Sequence, residues 1–492
     1  MAGEVHPARR RGRRARLRRD LPQAVDVLPG LLRGRLPLRL SRRAAVPVHQ
    51  GESRAMTSTV PAKATGAAHL LSALALDVLG GPLPLRLRAW DGSESGPADA
   101  PVVVLRSRRA LRRLLWQPGE LGLAQAYITG ELDVDGDLAH GLRTMWSAQR
   151  ERGLRPPRLT AADRARALAT VVRLGAVGPR PPAPDSQARL RGGLHSKARD
   201  RAAISHHYDL SNDFYRLLLD ETMAYSCGYW ASDDDGFGPA DAQRAKLELI
   251  RRKLSLAPGS RLLDIGCGWG SFTLYAAERH GVQVTAVTLA REQAAYVREQ
   301  VRERGLGERV DVVCQDYRDI QGGGYDAVAT VEMGEHVGDA EYPAFAAALH
   351  RLVRPGGRVL VQQMSRGRSA PGGGAFIEAY IAPDMHMRPL GETVALLEEA
   401  GLEVRHSESL REHYVRSIEA WHRTLEEHWQ RFLAQVGEET ARVWRLYLVG
   451  AALAFEEGRM GVDQILSVRP GPGGASGMPT TTHAWYEGLE KP

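Results

Sequence analysis

Residues whose types and spacing could do chemistry fall into three groups. The first is a glycine turn, Asp264-Ile265-Gly266-Cys267-Gly268-Trp269-Gly270, set between a short apolar run and a helical pattern. Glycine lets a backbone turn sharply and approach a ligand with no Cβ in the way. The dinucleotide fingerprint G-x-G-x-x-G sets a helix N-terminus against pyrophosphate, and the spacing here, G-C-G-W-G, departs from it. The second group is acidic: Asp316 closes a strand-like run, Glu335 lies in VEMGEHVG, and Glu378 lies in GGGAFIEAYIAPD. The third holds side chains able to act as nucleophiles or bases. His206 and His207 are adjacent and cannot share one face, which leaves one of them structural. Cys227, Cys267 and Cys314 are too few and too scattered for a disulfide framework or a zinc cluster, so no metal is expected. Cys267, inside the turn, and Cys314, in an apolar run, read as buried packing residues.

Such residues need a scaffold of alternating strands and helices. From about residue 194 the chain supplies one: RLLDI, VQVTAVT, RVDVVCQD, YDAVATVE and GRVLVQQM are strand-like, with helical patterns over Ser271–His280, 291–304 and 342–353. The expected fold is α/β, a doubly wound, mostly parallel Rossmann-like sheet with helices on both faces. Trp-rich helical sequence over 412–459 reads as a C-terminal cap. In this setting D-x-G-x-G-x-G is the S-adenosylmethionine loop of class I methyltransferases. Thr288, ending the second strand, then falls where ribose is contacted, and Asp316, ending the third, where adenine is read. Upstream, 83–90 alternates apolar and basic residues, Asp91-Gly92 marks a turn, PVVVLRS gives a second strand and Arg108–Trp116 a helix. The stretch 119–138 is rich in Gly and acids at turn positions, and completes a smaller α+β domain.

At 492 residues the chain exceeds one ordinary core. The expected organisation is an Arg-rich segment over 1–55, an N-terminal lipid- or substrate-associated domain over 56–177, a proline-rich linker over 178–193, and a methyltransferase domain with a helical acyl-binding cap over 194–492. The net charge of +8 is local: residues 1–55 hold 14 Arg and 4 acids, and the remainder stands at −2. That segment has no core pattern and is expected to be unstructured. It reads as a basic arm for nucleic acid or anionic lipid, as a transit peptide lacking cleavage-site grammar, or as sequence upstream of a true start at Met56. Five Lys against 61 Arg suit a GC-rich genome and favour the last. Arg106, Arg108, Arg109, Arg112 and Arg113 form a second basic cluster, either a solvated helix face or a contact for anionic head groups. No apolar run reaches the roughly 18 residues of a membrane span. With so few cysteines, a reduced, cytoplasmic compartment is expected.

Past the linker the signals become specific. His206-His207-Tyr208-Asp209-Leu210-Ser211-Asn212-Asp213-Phe214-Tyr215, then Met223-Ala224-Tyr225-Ser226-Cys227, then LLDIGCGWG, TLAREQ, QDYRD and VEMGEHVG, in this order, resemble the cyclopropane-fatty-acyl-phospholipid synthase family. HYVRSIEAW and YLVGAALAFEEGRM resemble its C-terminal helices. The likeness covers roughly 195–470 and, more loosely, 83–138. It implies methyl transfer from S-adenosylmethionine to a cis double bond of a phospholipid acyl chain. It also implies cofactor contacts at Tyr225, Ser226, Asp264, Gly266, Gly268, Gly270, Thr288, Gln293, Asp316 and Tyr317. A bicarbonate base would be gripped by Cys227, Glu335, Gln362 and Tyr414, with Gln362 standing at the family's His position. The loop carrying Glu378 departs from the family pattern too, and this carboxylate is a candidate to take over part of the anion's work. The family's C-terminal Cys aligns with Ala451, so no thiol chemistry is expected there.

An alkene is a poor nucleophile, and methylating it leaves a carbocation. The site must exclude water, stabilise positive charge and supply a base; aromatic faces and carboxylate oxygens suit that task. Proton loss with ring closure gives a cyclopropane. A hydride shift before proton loss gives an exocyclic methylene, the precursor of a 10-methyl acid such as tuberculostearic acid. The altered base region favours the methylene product. Expected partners are a membrane phospholipid with an unsaturated acyl chain, the inner membrane face as a peripheral docking surface, and a reductase if the product is methylene-branched. A homodimer is compatible, and nucleic acid is not expected. Two other readings are a methyltransferase for a diffusible small molecule, which leaves the N-terminal domain unexplained, and a non-enzymatic lipid- or nucleic-acid-binding protein with an empty cofactor loop.

Overall fold

Two sheets carry the chain in the computed structural model, which describes residues 66–79, 81–152, 160–188, 199, 211–367 and 372–491. The expectations for residues 1–55, for His206 and His207, and for 189–193 fall outside these. Among the described residues the smaller sheet has four strands, β1 (Arg86–Arg88), β2 (Glu94–Ser95), β3 (Val102–Leu105) and β4 (Leu132–Asp135), in the order β2-β1-β3-β4. The strand expected over 83–90 shortens to β1, because Pro82 and Pro84 have no N–H to give a ladder. Asp91 makes the next corner. Its carboxylate accepts the N–H of Ser93 (3.1 Å) and of Ala67 (2.8 Å), tying the turn to the start of the helix Ala67–Leu79. The stretch rich in Gly and acids at turn positions folds into the helix Glu120–Ile128 and β4, since its small and apolar residues bury Ala124, Ala126, Tyr127 and Ile128.

The larger sheet is built from the buried runs seen in the sequence: β5 (Arg261–Ile265), β6 (Gln283–Thr288), β7 (Val310–Cys314), β8 (Tyr325–Val331) and β9 (Val353–Ser365). These five are parallel, and β10 (Glu403–Ser409) and β11 (Gly461–Val468) complete the order β10-β11-β9-β8-β5-β6-β7. β11 runs antiparallel to both of its neighbours. The sequence reading missed this pair, because β10 alternates charged residues along a half-exposed edge and β11 follows directly on helical sequence. β5 to β7 proceed to one side and β8 to β9 to the other, so the connections reverse between β5 and β8. A crevice opens at such a reversal beyond the carboxyl ends of the strands, where ligands bind.

The helices Arg411–Glu427 and Trp429–Glu456 form the cap and lie against the small sheet as well. Arg442, with 7% of its side chain exposed, donates to the carbonyls of Tyr127 (2.6 Å) and Leu132 (3.2 Å), pairs with Asp133 and stacks on the Tyr127 ring. The arginine cluster near residue 110 is no free basic patch. Arg113 and Arg109 pair with Glu131, Arg106 pairs with Asp133, and Arg112 donates to the carbonyls of Ala176 and Val177. The described part of the proline-rich segment is pinned rather than loose. Gly178 accepts from the Trp116 indole, Pro182 from Arg113, and the Ala188 N–H donates to Ala379. Among the described residues no helix is long and apolar enough to cross a membrane, and no His, Cys, Asp and Glu cluster is arranged to hold a metal.

Candidate active site

β5 delivers the glycine turn into the crevice. The N–H groups of Gly266 and Cys267 both donate to the Val287 carbonyl (2.8 and 3.0 Å), folding the turn back on β6. Gly266, Gly268 and Gly270 have φ of +79°, +55° and +81°, which other residues adopt at a cost. The three differ in what surrounds them. A Cβ on Gly266 would come within 3.0 Å of Met333, and one on Gly270 within 3.0 Å of Val297, so these two serve close packing. A Cβ on Gly268 would meet nothing within 4 Å, because this position faces the open pocket. That bare backbone is a cradle a side chain would fill.

Most of the expected cofactor residues line the same pocket: Tyr225, Ser226, Asp264, Gly266, Gly268, Thr288, Gln293, Asp316 and Tyr317. Gly270 does not. Several are tied to one another. Asp264 is buried, accepts from the Thr273 hydroxyl (2.7 Å), and is pushed up to about 6 by desolvation. The Thr288 hydroxyl donates to Gln293 (2.9 Å) and accepts the Ala290 N–H at the head of the helix Arg291–Glu303. The Asp316 carboxylate accepts from the backbone and guanidinium of Arg318. Ser226 accepts from the buried Lys246 (2.7 Å). An open glycine backbone beside hydroxyl, amide and carboxylate groups fits a nucleoside bearing a charged sulfonium.

Across the pocket stands a carboxylate that the sequence reading passed over. Glu332 follows β8 with φ +54°, and its N–H donates to the Gln362 carbonyl (2.6 Å). Its Oε1 accepts from the Cys227 N–H (2.7 Å) and from Gln362 Nε2 (2.9 Å), and its Oε2 accepts from the Tyr414 hydroxyl (2.6 Å). Tyr414 and Gln362 thus lie together as expected, gathered on Glu332. Glu335, one turn on, is 1% exposed, and neither carboxyl oxygen has a partner in hydrogen-bond geometry among the described residues. Burial, and then the charge on Glu332, hold Glu335 well above the usual carboxylate range; nearby backbone N–H groups offset little of that. Glu332 is raised too, by burial, but its hydrogen bonds from Tyr414, Cys227 and Gln362 and the charge on Lys246 pull it back, so of the two it is the better place for the negative charge. The signal that could have found it was an acid at a strand's carboxyl end beside the reversal point, inside the motif already quoted for Glu335.

Other expected participants sit elsewhere. The Cys227 thiol is buried, donates to the Gly228 and Leu410 carbonyls (3.3 and 3.6 Å), and is pushed well up by desolvation, so only its backbone serves the site. Glu378 lies on the short helix Ala375–Tyr380 outside the pocket lining and accepts the Asp384 N–H (3.0 Å), bracing a loop that Arg199 also holds. Cys267 is buried as expected, while Cys314 is exposed on the edge strand β7.

A glycine turn after β5, at the reversal point of this strand order, defines a class I methyltransferase. The sequence profile described as mycolic acid cyclopropane synthetase matches residues 195–465, and the chain belongs to that family of S-adenosylmethionine-dependent methyltransferases. It is 38% identical over 438 residues to a probable fatty acid methyltransferase of Mycobacterium tuberculosis, covering 86% of this chain and 99% of the relative. It is 34% identical over 413 residues to the tuberculostearic acid methyltransferase of the same organism, covering 79% of this chain and 89% of that one. A solved mycolic acid cyclopropane synthase, complexed with S-adenosylhomocysteine and CTAB, is 30% identical with a TM-score of 0.51, over 55% of this chain and 98% of its own.

Proposed function

We propose that the protein methylates the cis double bond of an unsaturated acyl chain in a phospholipid, working at the membrane surface, and yields a methylene-branched chain. The observation that carries this reading is the wall facing the glycine turn. Tyr225, Tyr414 and Tyr447 line it together with Met364, Ile381 and Met385, and the polar groups set among them include two carboxylates. When bound, S-adenosylmethionine supplies an electrophilic methyl group on a sulfonium. The residues of the chain supply the rest. Tyr225 is fixed by Trp421, Tyr215 and Trp444, with ring centroids 5.2, 5.8 and 5.9 Å away, and donates its hydroxyl to Tyr447 (3.1 Å). Aromatic faces so held stabilise a cation at carbon without capturing it.

The lipid substrate is supported by the names of the relatives, and the branched product by the likeness to the tuberculostearic acid methyltransferase over 79% of this chain. Vesicles of oleoyl phospholipid and of its stearoyl counterpart, each with S-adenosylmethionine, test the substrate class. Release of S-adenosylhomocysteine with the oleoyl lipid alone is expected. Equal release with both, or with neither, would refute it.

A further inference from the structure

Bicarbonate, which the family resemblance implies as the base, does not fit this site. The groups implied to hold it, at Cys227, Gln362 and Tyr414, converge instead on Glu332, and the three donate to it at 2.7, 2.9 and 2.6 Å. A carboxylate presents the same planar pair of anionic oxygens as bicarbonate, so the chain supplies its own anion there. We propose that Glu332 is the catalytic base: its Oε2 takes the proton released by the methylated acyl chain, and no external anion is needed. This rests on the methyl-transfer reading given above.

The acceptor atom follows from counting lone pairs. Each oxygen of an ionised carboxylate offers about two acceptor sites. Oε1 fills both, with Cys227 and Gln362, whereas Oε2 receives only Tyr414 among the described donors and keeps one site. Glu332 is partly exposed, and it lines the pocket. In the step itself, one C–H bond of the newly attached methyl breaks. A hydride has by then shifted from the methylated carbon to its cationic neighbour, so the electron pair becomes the second bond of an exocyclic C=CH₂, the cation now on the methylated carbon is neutralised, and the proton rests on Oε2.

Three surrounding features keep Glu332 ionised and aimed. Lys246, fully buried, places its ammonium among Ser226, Glu332 and Asp264, and balances the charge. Glu335, buried beside it with no hydrogen-bond donor to either oxygen among the described residues, is the poorer place for a second negative charge, so the pair favours charge on Glu332. The Gln362 amide is oriented from behind: Lys253 Nζ donates to Gln464 Oε1 (2.8 Å), and Gln464 Nε2 donates to Gln362 Oε1 (2.9 Å). An ammonium can only donate, so it fixes both amides and turns Gln362 NH₂ toward Glu332.

Glu332→Gly is the informative variant, because φ of +54° suits glycine and the change leaves an anion-sized space faced by three donors. Activity is measured on oleoyl phospholipid vesicles in carbon-dioxide-free buffer, with formate or bicarbonate then added, and S-adenosylmethionine affinity is measured by calorimetry. Wild-type turnover on this lipid is the control for the substrate reading, which fails by itself if that turnover is absent. The wild type is expected to be indifferent to bicarbonate. Glu332→Gly is expected to bind cofactor normally, to lose about 10²–10⁴-fold in kcat, and to recover saturably with either anion. A wild type that needs bicarbonate would overturn the proposal, as would a variant that stays fully active without an anion. A loss that neither anion restores, in a variant that still binds cofactor, would overturn it too.

Discussion

At the scale of single residues the site divides its work between backbone and side chains. Gly268 gives the clearest case of the first. Valine there must adopt a left-handed backbone that β-branched residues avoid, at about 1–3 kcal/mol, and its Cβ enters the open pocket. Gly268→Val is expected to fold and to lose most of its affinity for S-adenosylmethionine by calorimetry. Unchanged affinity in a folded variant would move the cofactor elsewhere. Gln362 gives the clearest case of the second. Gln362→Met removes one donor from Glu332, so the anion is less stabilised and its pKa rises. A base must be ionised to act, so kcat falls as pH drops through that pKa, and the acidic limb of the pH–rate profile is expected to move to higher pH. Glu378→Gln, by contrast, is expected to change kcat by less than about tenfold, since removing a true base costs at least about 10²-fold. Much of this was legible in the sequence. The D-x-G-x-G-x-G spacing located the turn, and Tyr414 and Gln362 come together, though on Glu332 rather than around a free anion site. Glu332 offered only its place at a strand's carboxyl end, because what sets it apart is hydrogen bonds to residues 30, 82 and 105 positions away.

At the scale of elements, the parallel core was written in buried β-branched runs, and the helices Arg108–Trp116 and Ser271–His280 match their patterns end to end. What escaped was whatever depends on a distant partner. β11 is a strand because β9 and β10 flank it, and the helix Glu120–Ile128 forms on a sequence that locally favours turns because the cap packs on it. The arginines near residue 110 looked like surface charge for a similar reason, since Glu131 and Asp133 reach them only through the fold. Arg442 joins the cap to the small sheet through two carbonyls and Asp133. Arg442→Met leaves the two carbonyls without their donor and Asp133 with Arg106 as its remaining partner. It is expected to cost on the order of 3 kcal/mol, read as a lower urea midpoint. Because the same helix carries Tyr447, KM for lipid is expected to rise with it. An unaltered midpoint would mean that the staple is incidental.

At the scale of the whole molecule, the strand order places two pieces of machinery across one crevice. In the proposed reaction the turn after β5 holds the methyl donor, and the end of β8, with the cap behind it, stabilises and deprotonates the cationic intermediate. The small sheet, stapled to the cap, leaves the pocket's aromatic wall fixed from both sides. Among the described residues no helix is long and apolar enough to cross a membrane. The central claim is methylation at carbon with loss of one hydrogen from the transferred methyl. The direct measurement uses S-adenosylmethionine deuterated in its methyl group, oleoyl phospholipid vesicles, and mass spectrometry with NMR of the recovered acyl chains. The account predicts a chain carrying a mid-chain exocyclic methylene group that retains all but one of the methyl deuteriums. A chain that keeps every deuterium, or lipid recovered unlabelled while S-adenosylhomocysteine accumulates, would contradict it.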